Sequence, residues 1–395
     1  MTSCAMTPDL AAPPVAAPFL AAELYVSPQV AEWERDGYAR QFWHPLLLLS
    51  ELPEGAALSR SLLGVALLLT HPPGVGPRVF LNQCPHRGVA LLAPGSTQNP
   101  CRKLICPYHG WTYAPDGRLL AAAREAEFCA PFDRRSWDLL PIETAVGGPF
   151  LWVRLPVHRP DPLQVHAAVA PSLAEQLDLL REQGGWRVAQ PGPSPAASSA
   201  PLLWGRRQLS LACNWKVAHD NTLDDYHVAI AHPTTLHRIQ GPVSAYRHRF
   251  GRWCNLLATP VPGDQPPAAD FLTFSVPPWN HVLLWPDGTT ALIGFHPEAL
   301  DRCRMELTLA GSSQGAAGAE AQLEEMTAFL EEDRALVESA QHAYASQGFR
   351  PGPPHRLERR ILHHQALYRE ALGRSGLDQA AATDGCSSSS ARMSR

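Results

Sequence analysis

The sequence predicts an α+β chain in two parts, a small antiparallel β domain followed by a larger domain of sheet and helices. Three observations carry this. At 395 residues the chain exceeds one ordinary domain. Between about residues 43 and 155, short β-type runs (Gly64–Thr70, Arg78–Asn82, Phe150–Leu155) alternate with turns such as Pro72-Pro73-Gly74 and Pro115-Asp116-Gly117. Residues 319–347 carry a helix-period stripe of Leu323, Met326, Leu330, Val337 and Ala340.

In order along the chain, residues 1–40 form an N-terminal arm, partly disordered. It is Ala/Pro-rich to residue 22, with a short helix over Ala31–Phe42. Residues 41–156 are the β domain. Residues 157–372 are the second domain. It opens with a helical stretch over 156–186 that spaces Leu173, Leu177 and Leu180 by three and four. A Pro/Ser/Ala loop covers 189–201. Strands with one helix fill 202–310, and the long helix follows. Residues 373–395 are a disordered, Ser-rich tail.

Composition narrows the function. Hydrophobic residues make up 45% of the chain, ample for a core. Thirty-three basic against 37 acidic residues leave a net charge of −4, which argues against nucleic acid as a partner. No apolar run approaches the ~18–20 residues of a membrane span, so no membrane association is expected. The first 25 residues hold no Lys or Arg, so no secretory signal is expected. Nine cysteines, an odd number without the spacing of a disulfide scaffold, suit a reducing compartment. An intracellular soluble protein follows, in the cytoplasm or an organelle stroma.

Two short pairs stand out in the β domain: Cys84-Pro85-His86 and Cys106-Pro107-Tyr108-His109, with 19 residues between His86 and Cys106. Each offers one thiolate and one imidazole in a proline-stiffened turn. Zinc modules usually pair Cys with Cys and His with His. One of each per loop suits a [2Fe–2S] cluster with both cysteines on one iron and both histidines on the other.

A second constellation lies in Asp224-Asp225-Tyr226-His227 and His232-Pro233. Asp224 and His227 share a face if helical. His232, five residues after His227, points roughly 140° further round an ideal helix. Pro233 loosens the helix at His232 and frees that ring to turn toward His227. Two imidazoles and a carboxylate make the facial triad of a mononuclear Fe(II), leaving positions open. Asp333 sits on the apolar stripe of the long helix where a leucine would be expected, and a buried carboxylate needs a partner. Glu332 and Glu338 read as solvated face.

The stretches CPHRG and CPYHGWTY resemble the cluster-binding signature of Rieske non-haem iron oxygenases, and NWK…DN…DDYH…H with EDRALVES is similar to their mononuclear-iron segments. The resemblance covers roughly residues 40–370. It implies a Rieske domain plus a helix-grip type catalytic domain. Cys84, His86, Cys106 and His109 would hold one [2Fe–2S] cluster per chain, and His227, His232 and Asp333 one mononuclear Fe(II). Asp224 would be the bridging acid, linking a cluster histidine (His109) of a neighbouring subunit to His227 in a homotrimer, with Asp225 one register away. The first loop is longer than usual, and its insertion STQNPCRK is placed on the surface with no ligand role for Cys101. The chain would be a terminal oxygenase using O2 and a small organic substrate, with electrons from a separate ferredoxin or reductase, since no dinucleotide fingerprint is present.

DNTLDDYHVAIAH is close to the corresponding stretch of choline monooxygenases. That implies a choline-like N-methylated quaternary amine, which wants an aromatic cage; Trp253, Phe274, Trp279, Trp285 and Phe295 are candidates. The alternatives are a ring-hydroxylating oxygenase acting on an aromatic substrate and, in another class, a Rieske electron-transfer protein without oxygenase activity.

Overall fold

The structure is a computed structural model that describes residues 13, 17–156, 170–192, 201–261, 270–313, 315–346 and 348–382. The expectations for most of 1–22, for 157–169, for 193–200 and for the tail beyond 382 lie outside these residues. The chain divides into two compact units. One comprises residues 43–156 and 186–203, the other 1–42, 157–185 and 204–395.

The first unit is built from short strands because its sequence alternates β-branched or leucine-rich runs with Gly/Pro turns. One sheet takes the order Arg78–Leu81, Val65–Thr70, Ala57–Leu62, Thr97–Gln98. Side chains alternate across it. Leu67 and Leu69 enter a core with Leu47, Val79 and Val153, while Leu68 enters a second core with Phe80, Leu104, Trp111 and Tyr113. A second sheet orders His44–Leu48, Phe150–Arg154, Glu143–Gly147 and Val188–Ala189. That last strand returns the chain to this unit after residue 156. Three short strands, Leu104–Ile105, Thr112–Tyr113 and Leu119–Ala121, form a third sheet.

The insertion STQNPCRK lies largely at the surface as expected, with Thr97, Asn99, Pro100, Arg102 and Lys103 exposed, but it is tied to the domain. Thr97 and Gln98 pair with Leu58 and Ala57, and Cys101 is buried in the second core. An uncharged thiol packs there as a small hydrophobe.

The second unit carries a seven-stranded sheet. Six strands run as an antiparallel meander from Arg247–Phe250 through Asn255–Pro260, Asp270–Val276, Asn280–Leu284 and Thr290–Ala299 to Arg302–Gly311. Leu202–Leu211 lies beside the last of them. Three helical segments, Trp215–Leu223, Val228–Ala231 and Leu236–Gln240, replace the single helix expected over 202–310. The long helix spans Ala319–Ala345, and a last helix, Arg359–Ala382, runs on into the residues expected as tail.

The N-terminal segment is not a detached arm. Pro28–Trp33 is helical, and buried Glu34 accepts hydrogen bonds from Lys216 Nζ (2.6 Å) and Trp215 Nε1 (2.8 Å). A buried lysine and a buried glutamate each need such a partner, so these residues belong to the sheet-and-helix unit. Among the described residues no helix is long and apolar enough to cross a membrane.

Candidate metal centres

In the first unit two loops share one backbone frame. Cys84 N–H donates to Val89 O and Gly88 N–H to Cys84 O, both at 2.8 Å. Cys106 N–H donates to Trp111 O (2.8 Å) and Gly110 N–H to Cys106 O (3.0 Å). Gly88 and Gly110 occupy the same left-handed conformation, φ +75° and +69°, which a side chain would strain. The frame presents the cysteine at its first position and the histidine two or three residues later.

Both cysteines are buried in the same core. The histidines sit further out: His86 is half-buried and His109 exposed, their ring centroids 4.5 Å apart. His86 stacks on Trp111 at 5.0 Å and 3°. Its Nδ1 is buried without a hydrogen-bond partner, a bare donor atom that a metal would satisfy. Tyr113 Oη lies 3.3 Å from Cys84 Sγ, a contact the sequence reading missed although Tyr113 closes the same motif. Sulfur inward and nitrogen outward fits a [2Fe–2S] group with mixed ligands.

In the second unit the Trp215–Leu223 helix ends before Asp224, whose ψ of 96° is extended. Asp224 and His227 therefore meet across a turn and not on one helix face. His227 Nδ1 donates to the backbone carbonyl of Asp224 at 2.6 Å, with the Asp224 carboxylate 3.6 Å away. His227 caps the short Val228–Ala231 helix, and His232 leaves it with φ −123° and ψ 47°, as the following proline requires.

The freed ring turns back. His232 Nε2 lies 3.2 Å from His227 Nε2 and 2.9 Å from Asp333 Oδ1, and His227 Nε2 is 3.4 Å from the same oxygen. One donor atom from each of His227, His232 and Asp333 lies within 4.8 Å of the others, the only such group among the described residues. Leu323, Met326, Leu330 and Val337 of the long helix are buried, and this stripe carries Asp333 to the histidines.

Neighbouring charges set the protonation of these groups. Burial by itself would lower the His227 pKa, but the Asp224 and Asp333 carboxylates outweigh it and hold it up to about 10. Burial would raise the Asp333 pKa, but the two imidazoles outweigh that and lower it. A divalent cation in the place of those protons meets the same nitrogens and oxygen, so the residues present fit a facial-triad metal.

Asp224 and Asp225 separate clearly. Asp225 is buried and accepts from Arg360 Nη1 (3.1 Å) and His248 Nε2 (2.8 Å). Asp224 stays half-buried, facing His227. Glu332 is exposed, as expected of a solvated face, and its carboxylate also accepts from His232 Nδ1 at 2.6 Å. Glu338 accepts from the Ala212 N–H at 3.0 Å.

The five aromatics proposed as a cage make their ring contacts elsewhere. Trp253 carries the Arg252 guanidinium, Trp285 packs on Phe271, and Trp279 packs on Trp215. Phe295 sets its edge against His219 and His281, and Phe274 is buried. His219 itself packs between His281 and His364, with centroids at 4.7 and 4.2 Å.

Comparison with known proteins follows the same division. Residues 42–132 match the Rieske [2Fe-2S] domain, and residues 203–374 match the ring hydroxylating alpha subunit (catalytic domain). The chain thus carries a Rieske domain followed by a ring-hydroxylating alpha-subunit catalytic domain, with the α+β architecture expected. That pairing of domains combines a [2Fe–2S] cluster with a mononuclear iron.

Among curated relatives, the carnitine monooxygenase oxygenase subunit of Escherichia coli (strain K12) is 29% identical over 247 residues, 62% of this chain and 60% of that protein. The choline monooxygenase of Spinacia oleracea is 30% identical over 217 residues (53% and 44%). The anthranilate 1,2-dioxygenase large subunit of Acinetobacter baylyi is 27% identical over 224 residues (56% and 44%). The chain spans about half the length of the curated relatives it matches. In fold it resembles the quaternary ammonium Rieske monooxygenase CntA (TM-score 0.69, 22% identity, 93% of this chain and 98% of that one). It also resembles naphthalene 1,2-dioxygenase from Rhodococcus sp. (0.68, 16%, 90% and 95%).

Proposed function

We propose that this chain is the terminal oxygenase component of a Rieske-type system, with its cluster on Cys84, Cys106, His86 and His109 and its iron on His227, His232 and Asp333. The observation that supports this most is the convergence of those last three side chains from two distant parts of the chain. A purely electron-carrying Rieske protein has no use for it. When bound, the two groups supply single electrons and O2 activation at open iron positions.

The chain's own residues set the terms. The Nε2 atoms of His227 and His232 and the Asp333 carboxylate face one another and are the three groups that would hold the iron. Asp224, with its carboxylate facing His227 and not engaged by Arg360, is our choice over Asp225 for the bridging acid.

Tyr108 and Ile105 beside the cluster loops, and Tyr226, Ile230 and Leu336 beside the iron residues, are exposed apolar side chains. Such patches suit covered surfaces, and a homotrimer joining the cluster of one subunit to the iron of the next is our reading. The electron donor is a separate ferredoxin or reductase. The thiols described are unpaired, in keeping with a reducing compartment.

For substrate we favour an N-methylated quaternary amine, supported by the choline and carnitine monooxygenase relatives. The second reading, an aromatic ring substrate, is favoured by the anthranilate dioxygenase relative. The test is oxygen uptake with a surrogate ferredoxin against choline, betaines and simple aromatics, alongside metal analysis. About three irons per chain supports the oxygenase, and about two leaves only an electron carrier.

A further inference from the structure

We propose that Glu332 is a positioning residue for the iron site, gripping the outer nitrogen of the His232 ring so that its inner nitrogen faces the metal. This rests on the reading that His227, His232 and Asp333 hold iron. Glu332 Oε2 lies 2.6 Å from His232 Nδ1, on the opposite side of the ring from Nε2, which lies 2.9 Å from Asp333 Oδ1. An ionised carboxylate only accepts, so Nδ1 donates to Glu332, and the ring is fixed with Nε2 turned toward Asp333. Two successive residues of one helix thus hold both nitrogens of one imidazole.

The grip is needed because the local backbone does not supply it. His232 has left its short helix at ψ 47°, and no regular element sets the ring angle. Thr235, three residues on, donates its hydroxyl to the same Oε2 at 2.7 Å and holds the carboxylate in place. The other imidazole is treated differently: His227 Nδ1 donates to a neutral peptide carbonyl. A carboxylate behind one ring and a peptide behind the other make His232 the stronger donor, since outer carboxylates raise imidazole basicity.

The experiment uses the full chain with its cluster intact and the mononuclear iron removed. Fe(II) is titrated back, and the ferrous nitrosyl spectrum is recorded by paramagnetic resonance. Glu332→Ala should weaken Fe(II) binding by about 10- to 100-fold and change the nitrosyl signal. Glu332→Gln keeps an acceptor without the charge and should fall between, about two- to tenfold, with a smaller spectral change.

The inference is overturned if both variants bind Fe(II) within twofold of wild type with an unchanged nitrosyl spectrum while His232→Ala loses the metal. Should Glu332→Ala fail to fold, Glu332→Gln decides alone on the same criteria. If His232→Ala also retains iron, the ligand assignment itself is wrong and the role of Glu332 falls with it.

Discussion

The four side chains of the cluster loops come from two stretches of six residues held by one repeated hydrogen-bond frame. His232 and Asp333 of the proposed iron site lie 101 residues apart and meet where the chain following the Trp215–Leu223 helix, which packs on the long helix, turns back. The first centre is therefore carried by local backbone, with two glycines in a conformation other residues resist. The second depends on the burial of a helical stripe and on a break in the helix at His232. Local sites tolerate remote change and fail on local substitution; assembled sites are sensitive to the packing that brings them together.

The sharpest way to break this contrast is to empty one centre and watch the other. Cys106→Ser should abolish the visible absorption of the cluster while about one iron per chain remains; Asp333→Ala should do the reverse, keeping the chromophore and about two irons. If either substitution removes both metals, the two centres are not built independently.

Next in size are the two adjacent acids. Asp225→Asn strips Arg360 of its buried partner and should destabilise the second unit by about 3–5 kcal/mol in denaturant titration. Asp224→Asn should leave stability and both metals nearly unchanged yet stop electron transfer between cluster and iron, read as cluster oxidation after rapid mixing with O2 and substrate. Normal turnover by that variant would return the bridging role to Asp225 or remove it.

Acid should separate the units as well. Burial, and then the neighbouring His363, hold the His364 pKa down to about 3, and burial likewise pushes His219 and His281 well down. The unfolded chain takes up these protons near pH 6.5, the folded chain only far lower. Stability is thus full above about pH 6.5 and is lost as pH falls toward 3, at up to about 1.4 kcal/mol per pH unit for each histidine. His364→Phe should flatten the fall of the second unit's melting temperature between pH 7 and 5; an unchanged slope would mean that His364 takes up its proton in the folded state.

The smallest effect belongs to the cluster frame. A Cβ at Gly110 meets nothing within 4 Å, so Gly110→Ala should cost only the left-handed backbone, about 1–2 kcal/mol. A larger loss in thermal melting would show that the frame also senses the metal.

Much of the molecule was legible before any coordinates. The mixed Cys/His pairs, the break before Pro233 and the acid on an apolar stripe are short-range patterns, and the backbone reads such patterns residue by residue. Even the strands Val65–Thr70 and Phe150–Arg154 followed from the runs Gly64–Thr70 and Phe150–Leu155, seven and six residues long. What the sequence by itself determined was the chemistry on offer: two thiols with two imidazoles, and two imidazoles with one carboxylate. Tertiary structure alone decided which neighbours those groups keep. It sent Asp225 to Arg360 and left Asp224 beside His227. It buried Cys101 and turned Glu332 onto His232. The reason is range: a side chain's type is written at one position, whereas its partner is chosen by packing between segments as much as a hundred residues away.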